Sequence, residues 1–143
     1  MSYLWDSNIL RHYLDDHPLL LENLARVPRR DVLVPVVVAA EQFRGRAEAI
    51  LKAEPVRLAR AQELFRQTHE LVNKFQILYF DEAALTLTAQ LIARSKTRRR
   101  YPDVLMAAQA IAGRHILVTR NTRDFHDLLP APQLQNWIDE KLD

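Results

Sequence analysis

The sequence contains no cysteine, only two glycines and no long apolar run. The missing cysteines exclude disulfides, thiolate zinc sites and cysteine nucleophiles. With Gly45 and Gly113 as the two glycines, neither a P-loop nor a dinucleotide-binding glycine motif can form. No segment approaches the ~20 consecutive apolar residues of a membrane span, and residues 1–6 do not begin a signal peptide. We therefore expect a cytoplasmic protein that makes no membrane contact.

The remaining composition is typical of one soluble domain, which we expect to span residues 1–143. Hydrophobic residues make up 48% of the chain and charged residues 27%. The net charge is +2, yet residues 94–126 hold eight Lys or Arg against two acids, a net charge of +6 that leaves −4 for the rest. Such a segment is typical of a surface that binds nucleic acid, although a solvated basic loop has the same composition.

Short apolar runs alternate with helical patterns along the chain. Strands are predicted at residues 3–5, 32–34, 77–80 and 116–119, and helices at about 8–15, 36–53, 55–75, 82–94 and 104–112. The second and third helices are expected to form an αα-hairpin, and Gly113 is expected to close the last helix. Residues 134–137 fit either an edge strand or part of a terminal helix. The alternation predicts an α/β fold with a central, mainly parallel sheet and helices on both faces.

Four carboxylates stand in apolar surroundings where strands end or helices begin. They are Asp6 after the first strand, Glu41 in the helix after the second, Asp103 at the start of the last helix and Asp124 after the fourth strand. Taken singly, each has a structural interpretation as a helix cap, an exposed helix residue or a turn. Because parallel strands end at one edge of a sheet, we expect the four to converge there. Clustered carboxylates repel unless a hard cation such as Mg²⁺ or Mn²⁺ neutralises them, so the pattern predicts a metal site.

Four motifs surround these acids in chain order. They are Trp5-Asp6-Ser7-Asn8-Ile9-Leu10, Val34-Pro35 followed by Ala40-Glu41, Pro102-Asp103-Val104-Leu105-Met106-Ala107-Ala108, and Leu117-Val118-Thr119-Arg120-Asn121-Thr122-Arg123-Asp124-Phe125. Over nearly the whole chain they resemble the PIN domain family, specifically the VapC-type ribonuclease toxins of toxin–antitoxin pairs. The resemblance implies a PIN-like three-layer fold and metal-dependent cleavage of RNA phosphodiester bonds. It also implies that the four acids are metal ligands and catalytic residues.

The resemblance leaves the fourth ligand open between Asn121 and Asp124. We favour Asp124 for its charge, with Asn121 as a neutral helper. Ser7 stands where the family usually has Thr and keeps the hydroxyl as a supporting group. Arg98, Arg99 and Arg100 are candidates for general RNA affinity, and Arg120 and Arg123 for positioning the RNA backbone; solvated loops are the alternative for all five.

The resemblance implies partners as well. A toxin of this type has an RNA substrate and a small antitoxin whose tail occupies the acidic site, and the hairpin predicted over residues 36–75 offers an apolar surface for that antitoxin or for a homodimer. The main alternative is a catalytically idle PIN-like module that binds RNA or protein. Receiver and dehalogenase-type phosphatase domains fit poorly, because they need a second acid near Asp6, where this chain has Asn8.

Overall fold

The computed structural model describes residues 1–94 and 100–143, and within these ranges five strands alternate with six α-helices. The elements are β1 (Tyr3–Trp5), α1 (Ser7–Leu14), α2 (Pro18–Leu24), β2 (Val32–Pro35), α3 (Val36–Lys52), α4 (Pro55–Asn73), β3 (Gln76–Leu78), α5 (Glu82–Arg94), α6 (Tyr101–Gly113), β4 (Ile116–Val118) and β5 (Leu134–Gln135). Short 3-10 turns at Arg29–Asp31, Thr122–Phe125 and Ala131–Gln133 complete the connections. Among the described residues no helix is both long and apolar enough to cross a membrane.

The five strands form one sheet in the order β3-β2-β1-β4-β5, and every neighbouring pair is parallel. The chain runs outward from β1 to β3 on one side and then returns to place β4 and β5 on the other. The strand order therefore switches between β1 and β4, where α/β folds hold their ligands. The predicted α/β architecture with a parallel central sheet is confirmed.

The central strand is anchored by an aromatic cluster around Trp5, which is fully buried. The centroid of its ring lies 4.9 Å from that of Phe75 and 6.0 Å from that of Trp137, the latter edge-on. Tyr13 packs against both Trp5 and Phe75. Buried aromatic rings contribute large apolar areas and prefer such tilted geometries. Because Trp5 ends β1, this cluster fixes the position of the next residue, Asp6.

The predicted helical hairpin is present as α3 and α4, whose facing rings Phe43 and Phe65 lie 5.9 Å apart. Pro55 occupies the first turn of α4, where its missing N–H needs no partner. Asp81 caps α5 through a 2.8 Å hydrogen bond from the Ala84 amide to its Oδ1 atom.

Several boundaries differ from the predicted ones. β3 ends at Leu78 instead of continuing to residue 80, and residues 134–135 form a two-residue edge strand, the first of the two alternatives. Helix α2 was not predicted; its cap is His17, which accepts from the Leu20 amide through Nδ1, and histidine is not among the usual capping residues. Residues 95–99 of the predicted charged loop lie outside the described ranges.

The end of α6 corrects the expectation for Gly113. The left-handed residue is Arg114, with φ 56°, while Gly113 still belongs to the helix. Gly113 has a different structural role, since a Cβ there would overlap the His115 imidazole unless that ring moved. Burial lowers the pKa of His115, and its Nδ1 lies 3.1 Å from the Ser2 hydroxyl. The His115 ring thus occupies the space that a side chain at Gly113 would fill.

Replacing Gly113 by Ala is therefore expected to destabilise the protein by about 1–3 kcal/mol, the usual range for overpacking. In a His115→Ala background the same change should become neutral or stabilising by up to about 1 kcal/mol, because the clash is gone and alanine favours helix. Urea unfolding of the four proteins measures both effects. Equal costs in the two backgrounds would contradict the assigned overlap.

Candidate active site

The carboxyl ends of β1 and β4 bring Asp6 and Thr119 side by side at the switch in strand order. Trp5 is paired with Val118, and the Asp6 amide donates to the Val118 carbonyl at 3.1 Å. Asp6 is 7% exposed and Thr119 is fully buried. Asp6 also caps α1, because its Oδ1 accepts from the Ser7 amide at 2.7 Å. The Asp6 carboxylate therefore caps helix α1 and also faces the end of strand β4.

A network of hydrogen bonds fixes the orientation of Asp6. Its Oδ2 accepts from the Thr119 hydroxyl at 2.8 Å and from Asn8 Nδ2 at 3.0 Å, and the same Nδ2 lies 3.2 Å from Thr119 Oγ1. Asn8 Oδ1 accepts from the Arg120 amide at 3.1 Å, and Thr119 Oγ1 accepts from the Asn121 amide at 3.1 Å. Every link is short enough to hold both strand ends together. The Asp6 carboxylate is accordingly preorganised.

Asp103 lies close enough to both Asp6 and Asp124 for their negative charges to act on it. Asp103 lies in the first turn of α6, and its side chain is 29% exposed. Burial raises the pKa of Asp103; an ion pair with Arg100 opposes this, and the negative charges of Asp6 and Asp124 raise it further. The Asp124 residue itself is exposed, in the 3-10 turn that follows β4. The structure thus brings three of the four predicted acids into one electrostatic neighbourhood.

Arg100 is in direct contact with one of these aspartates. Its Nε atom is 3.3 Å from Asp103 Oδ2, while its Nη1 lies 3.0 and 3.1 Å from the two carboxylate oxygens of Asp127. The sequence placed Arg100 with Arg98 and Arg99 as a distant contributor to RNA affinity. Arg98 and Arg99 lie outside the described residues.

The other predicted residues have more varied positions. Glu41 lies half-buried on α3, and its side chain makes no hydrogen bond or ion pair with another residue in the described ranges. The Ser7 hydroxyl is 3.4 Å from Asp6 Oδ1, and Asn121 contacts Thr119 through its backbone while its side chain is exposed. Arg120 Nε pairs with Asp139 Oδ2 at 3.3 Å, and Arg123 is exposed. The structure therefore does not join Glu41 to the aspartates.

Sequence reasoning missed Asn8 and Thr119 as members of the site. Both are polar residues within apolar runs, and buried polar groups require partners. That signal was available for Thr119, which follows Ile116–Val118 directly, and for Asn8, two residues after Asp6. Asp6 could be identified as the partner of both residues only once β1 and β4 were known to be neighbours in the sheet.

The donor chemistry of the site fits a hard divalent cation, although the side chains are not arranged around one. In the part of the chain that the structure describes, no three His, Asp or Glu side chains are close enough together to hold a metal ion. Carboxylate oxygens such as those of Asp6, Asp103 and Asp124 are nevertheless the ligands that Mg²⁺ and Mn²⁺ prefer. Asp103 also attracts a positive group already, the guanidinium of Arg100. Metal binding would require the carboxylates to approach one another.

The family comparison agrees with this fold and with these motifs. The PIN domain family model matches residues 3–128, so the chain belongs to the PIN domain family. The resemblance inferred from the four motifs is confirmed. A search of curated protein sequences found no match.

Several solved structures share the fold over nearly their full length. VapBC-1 from nontypeable Haemophilus influenzae is 20% identical with a TM-score of 0.73, covering 96% of this chain and 98% of that one. FitAcB from Neisseria gonorrhoeae is 22% identical with a TM-score of 0.70, covering 97% and 100%. A toxin–antitoxin complex from Klebsiella pneumoniae is 20% identical with a TM-score of 0.68, covering 99% and 100%. At these identities the likeness shows a common fold.

Replacing Thr119 by Val should destabilise the protein by about 1–3 kcal/mol, because the change is nearly isosteric and leaves buried polar partners unpaired. Thr86→Val, at an exposed position on α5, is the matched control and should stay within about 0.5 kcal/mol of the wild type. Urea unfolding measures both. A Thr119→Val protein as stable as the control would show that the network around Asp6 does not hold the strand ends together.

The raised pKa of Asp103 predicts a pH dependence of stability in EDTA. Between its ordinary pKa of 3.8 and the higher folded-state value, the folded protein binds more protons than the unfolded chain, so this contribution to stability falls as pH rises. Asp103→Asn cannot titrate there. Its unfolding free energy relative to the wild type should therefore increase between about pH 3 and pH 7. With exposed Asp15→Asn as a control, a constant or falling difference would contradict the assigned shift.

Proposed function

We propose that this protein is a divalent-cation-dependent endoribonuclease that acts as the toxin of a VapBC-like toxin–antitoxin pair. The observation that carries the proposal is the buried, hydrogen-bonded Asp6 at the switch in strand order, together with Asp103, on which the negative charges of Asp6 and Asp124 both act. Membership in the PIN domain family supports it, as do the similar folds of chains from toxin–antitoxin complexes.

In this proposal Asp6, Glu41, Asp103 and Asp124 hold Mg²⁺ or Mn²⁺. When bound, the cation supplies Lewis-acid polarisation of a phosphate oxygen and neutralises charge on the leaving group. Asp6 is the fixed ligand, since Thr119 and Asn8 hold its carboxylate in one orientation. Glu41 or Asp103 orients the attacking water.

The protein's own cations would bind the RNA backbone. Arg120 and Arg123 lie in the segment that follows β4, and in this proposal they position the phosphates. The Ser7 hydroxyl remains close to the Asp6 carboxylate and serves as a supporting hydrogen-bonding group. No histidine lies within hydrogen-bond distance of Ser7 among the described residues, which argues against a serine nucleophile.

The proposed partners follow from the same assignment. A small antitoxin would cover the acidic site with a basic tail, because a cationic side chain can replace the charge of the metal. The tip of the α3–α4 hairpin exposes Leu51 and Val56, at 83% and 84%, and this apolar tip would serve the antitoxin or a second copy of the chain. Such a pair acts in the cytoplasm, where the RNA substrate lies.

Cleavage of labelled cellular RNA, with ends mapped by sequencing, tests the proposal. Wild-type protein should cleave with Mg²⁺ or Mn²⁺ and stop in EDTA. Asp6→Asn, Glu41→Gln and Asp103→Asn should each lower the rate by about 100-fold or more, because each removes a group that stabilises charge in the transition state. Comparing Asp124→Asn with Asn121→Ala identifies the fourth ligand, with the larger loss marking it.

Glu48→Gln, at an exposed position two turns further along α3, is the matched control for Glu41→Gln and should cleave at the wild-type rate. If folded Asp103→Asn cleaves as fast as the wild type, the site assignment is wrong. A folded wild type that binds RNA but does not cleave it with either metal would instead identify an idle PIN-like binding module.

A further inference from the structure

One guanidinium joins the candidate site to a carboxylate outside it. Arg100 precedes α6 and contacts Asp103 through Nε at 3.3 Å, while Nη1 contacts Asp127 at 3.0 Å. Asp127 lies beyond the 3-10 turn that carries Asp124, so the Arg100 side chain ties the start of α6 to the segment after β4. Asp127 was not among the acids that the sequence assigned to the site.

The two ion pairs of Arg100 differ in exposure and in geometry. The Asp103 side chain is 29% exposed and that of Asp127 is 68% exposed, so the Asp103 pair lies in the drier and less screened position. The contact with Asp127 is the shorter one and involves both carboxylate oxygens. Arg100 therefore has a second carboxylate, that of Asp127, to which it stays bonded if its contact with Asp103 is lost.

Arg100 is also incompletely satisfied where it lies. Its Nη2 atom is buried and has no hydrogen-bond partner among the described residues. A buried guanidinium N–H without a partner destabilises the arrangement. Among the described residues, the Arg100 guanidinium is accordingly bonded through two of its three nitrogen atoms.

We propose that Arg100 is the internal counter-ion of the site: it neutralises Asp103 when no divalent cation is bound and remains on Asp127 when one binds. Arg100 thereby lowers the affinity of the site for the cation, and Asp127 limits that effect by holding the guanidinium. This inference rests on the proposed function, because it assumes that Asp103 is a metal ligand. It makes Arg100 a positioning residue that regulates metal loading.

Titration of the full chain with Mn²⁺ alone, without RNA, tests the inference by calorimetry or electron paramagnetic resonance. Arg100→Gln should tighten Mn²⁺ binding, on the order of fivefold, because a competing positive charge is removed from Asp103. Asp127→Asn should weaken binding, because Arg100 then pairs with Asp103 alone. In the Arg100→Gln background, the effect of Asp127→Asn should largely disappear, which separates competition from a general change in charge.

Arg57→Gln is the matched control for the loss of one positive charge. Arg57 is exposed at the start of α4, and the 17-residue helix α3, about 25 Å long, separates it from the strand ends. The Arg57→Gln substitution should therefore leave the Mn²⁺ affinity unchanged. Unaltered or weakened binding in folded Arg100→Gln would overturn the inference while leaving the nuclease proposal intact. Should Arg100→Gln not fold, unchanged or tighter binding in Asp127→Asn overturns it instead. A wild type that binds no Mn²⁺ would overturn both proposals.

Discussion

The hydrogen bonds among Asp6, Asn8 and Thr119 are the interaction on which the site depends. The bonds to Thr119 join residues 111 and 113 positions apart in the chain, and they form only because β1 and β4 are neighbours in the sheet. A carboxylate that is 7% exposed needs such donors, since burial without partners is unfavourable. The aromatic packing of Trp5 places the strand end, and the network then fixes the direction of the carboxylate. Fold stability and site geometry thus share one set of contacts.

Asp103 is governed by a different balance. Burial and two neighbouring negative charges disfavour its ionised form, whereas the Arg100 guanidinium favours it. Without a metal, the compensating charge has to come from the chain itself. This balance explains how carboxylates can lie near one another in a folded protein and still be separated by more than a metal site allows.

Much of this arrangement could be predicted from the sequence, because its local signals agree with the fold. The apolar run before Asp6, the capping role of Asp81 and the proline at the start of α4 all act within a few residues. The role of Thr119 could not be predicted, since it depends on a partner across the sheet. The ion-pair partners of Arg100 could not be predicted either, because a run of charged residues does not indicate which acid each arginine will contact. Local rules therefore predicted where Asp6 lies, and tertiary contacts determined what surrounds it.

The charge distribution is also changed by folding. Residues 94–126 carry a net charge of +6 in the sequence, yet Arg100 and Arg120 are paired with Asp127 and Asp139, which both lie outside that segment. The basic surface is consequently less positive than the sequence count suggests. The pair of Arg120 with Asp139 is about half exposed on both sides, and such pairs contribute little to stability. A polyanion can therefore recruit Arg120 readily, whereas Arg100 would first have to leave two carboxylates. If the protein acts on RNA as proposed, contact with phosphates is accordingly expected to begin on the side of the site formed by the residues after β4.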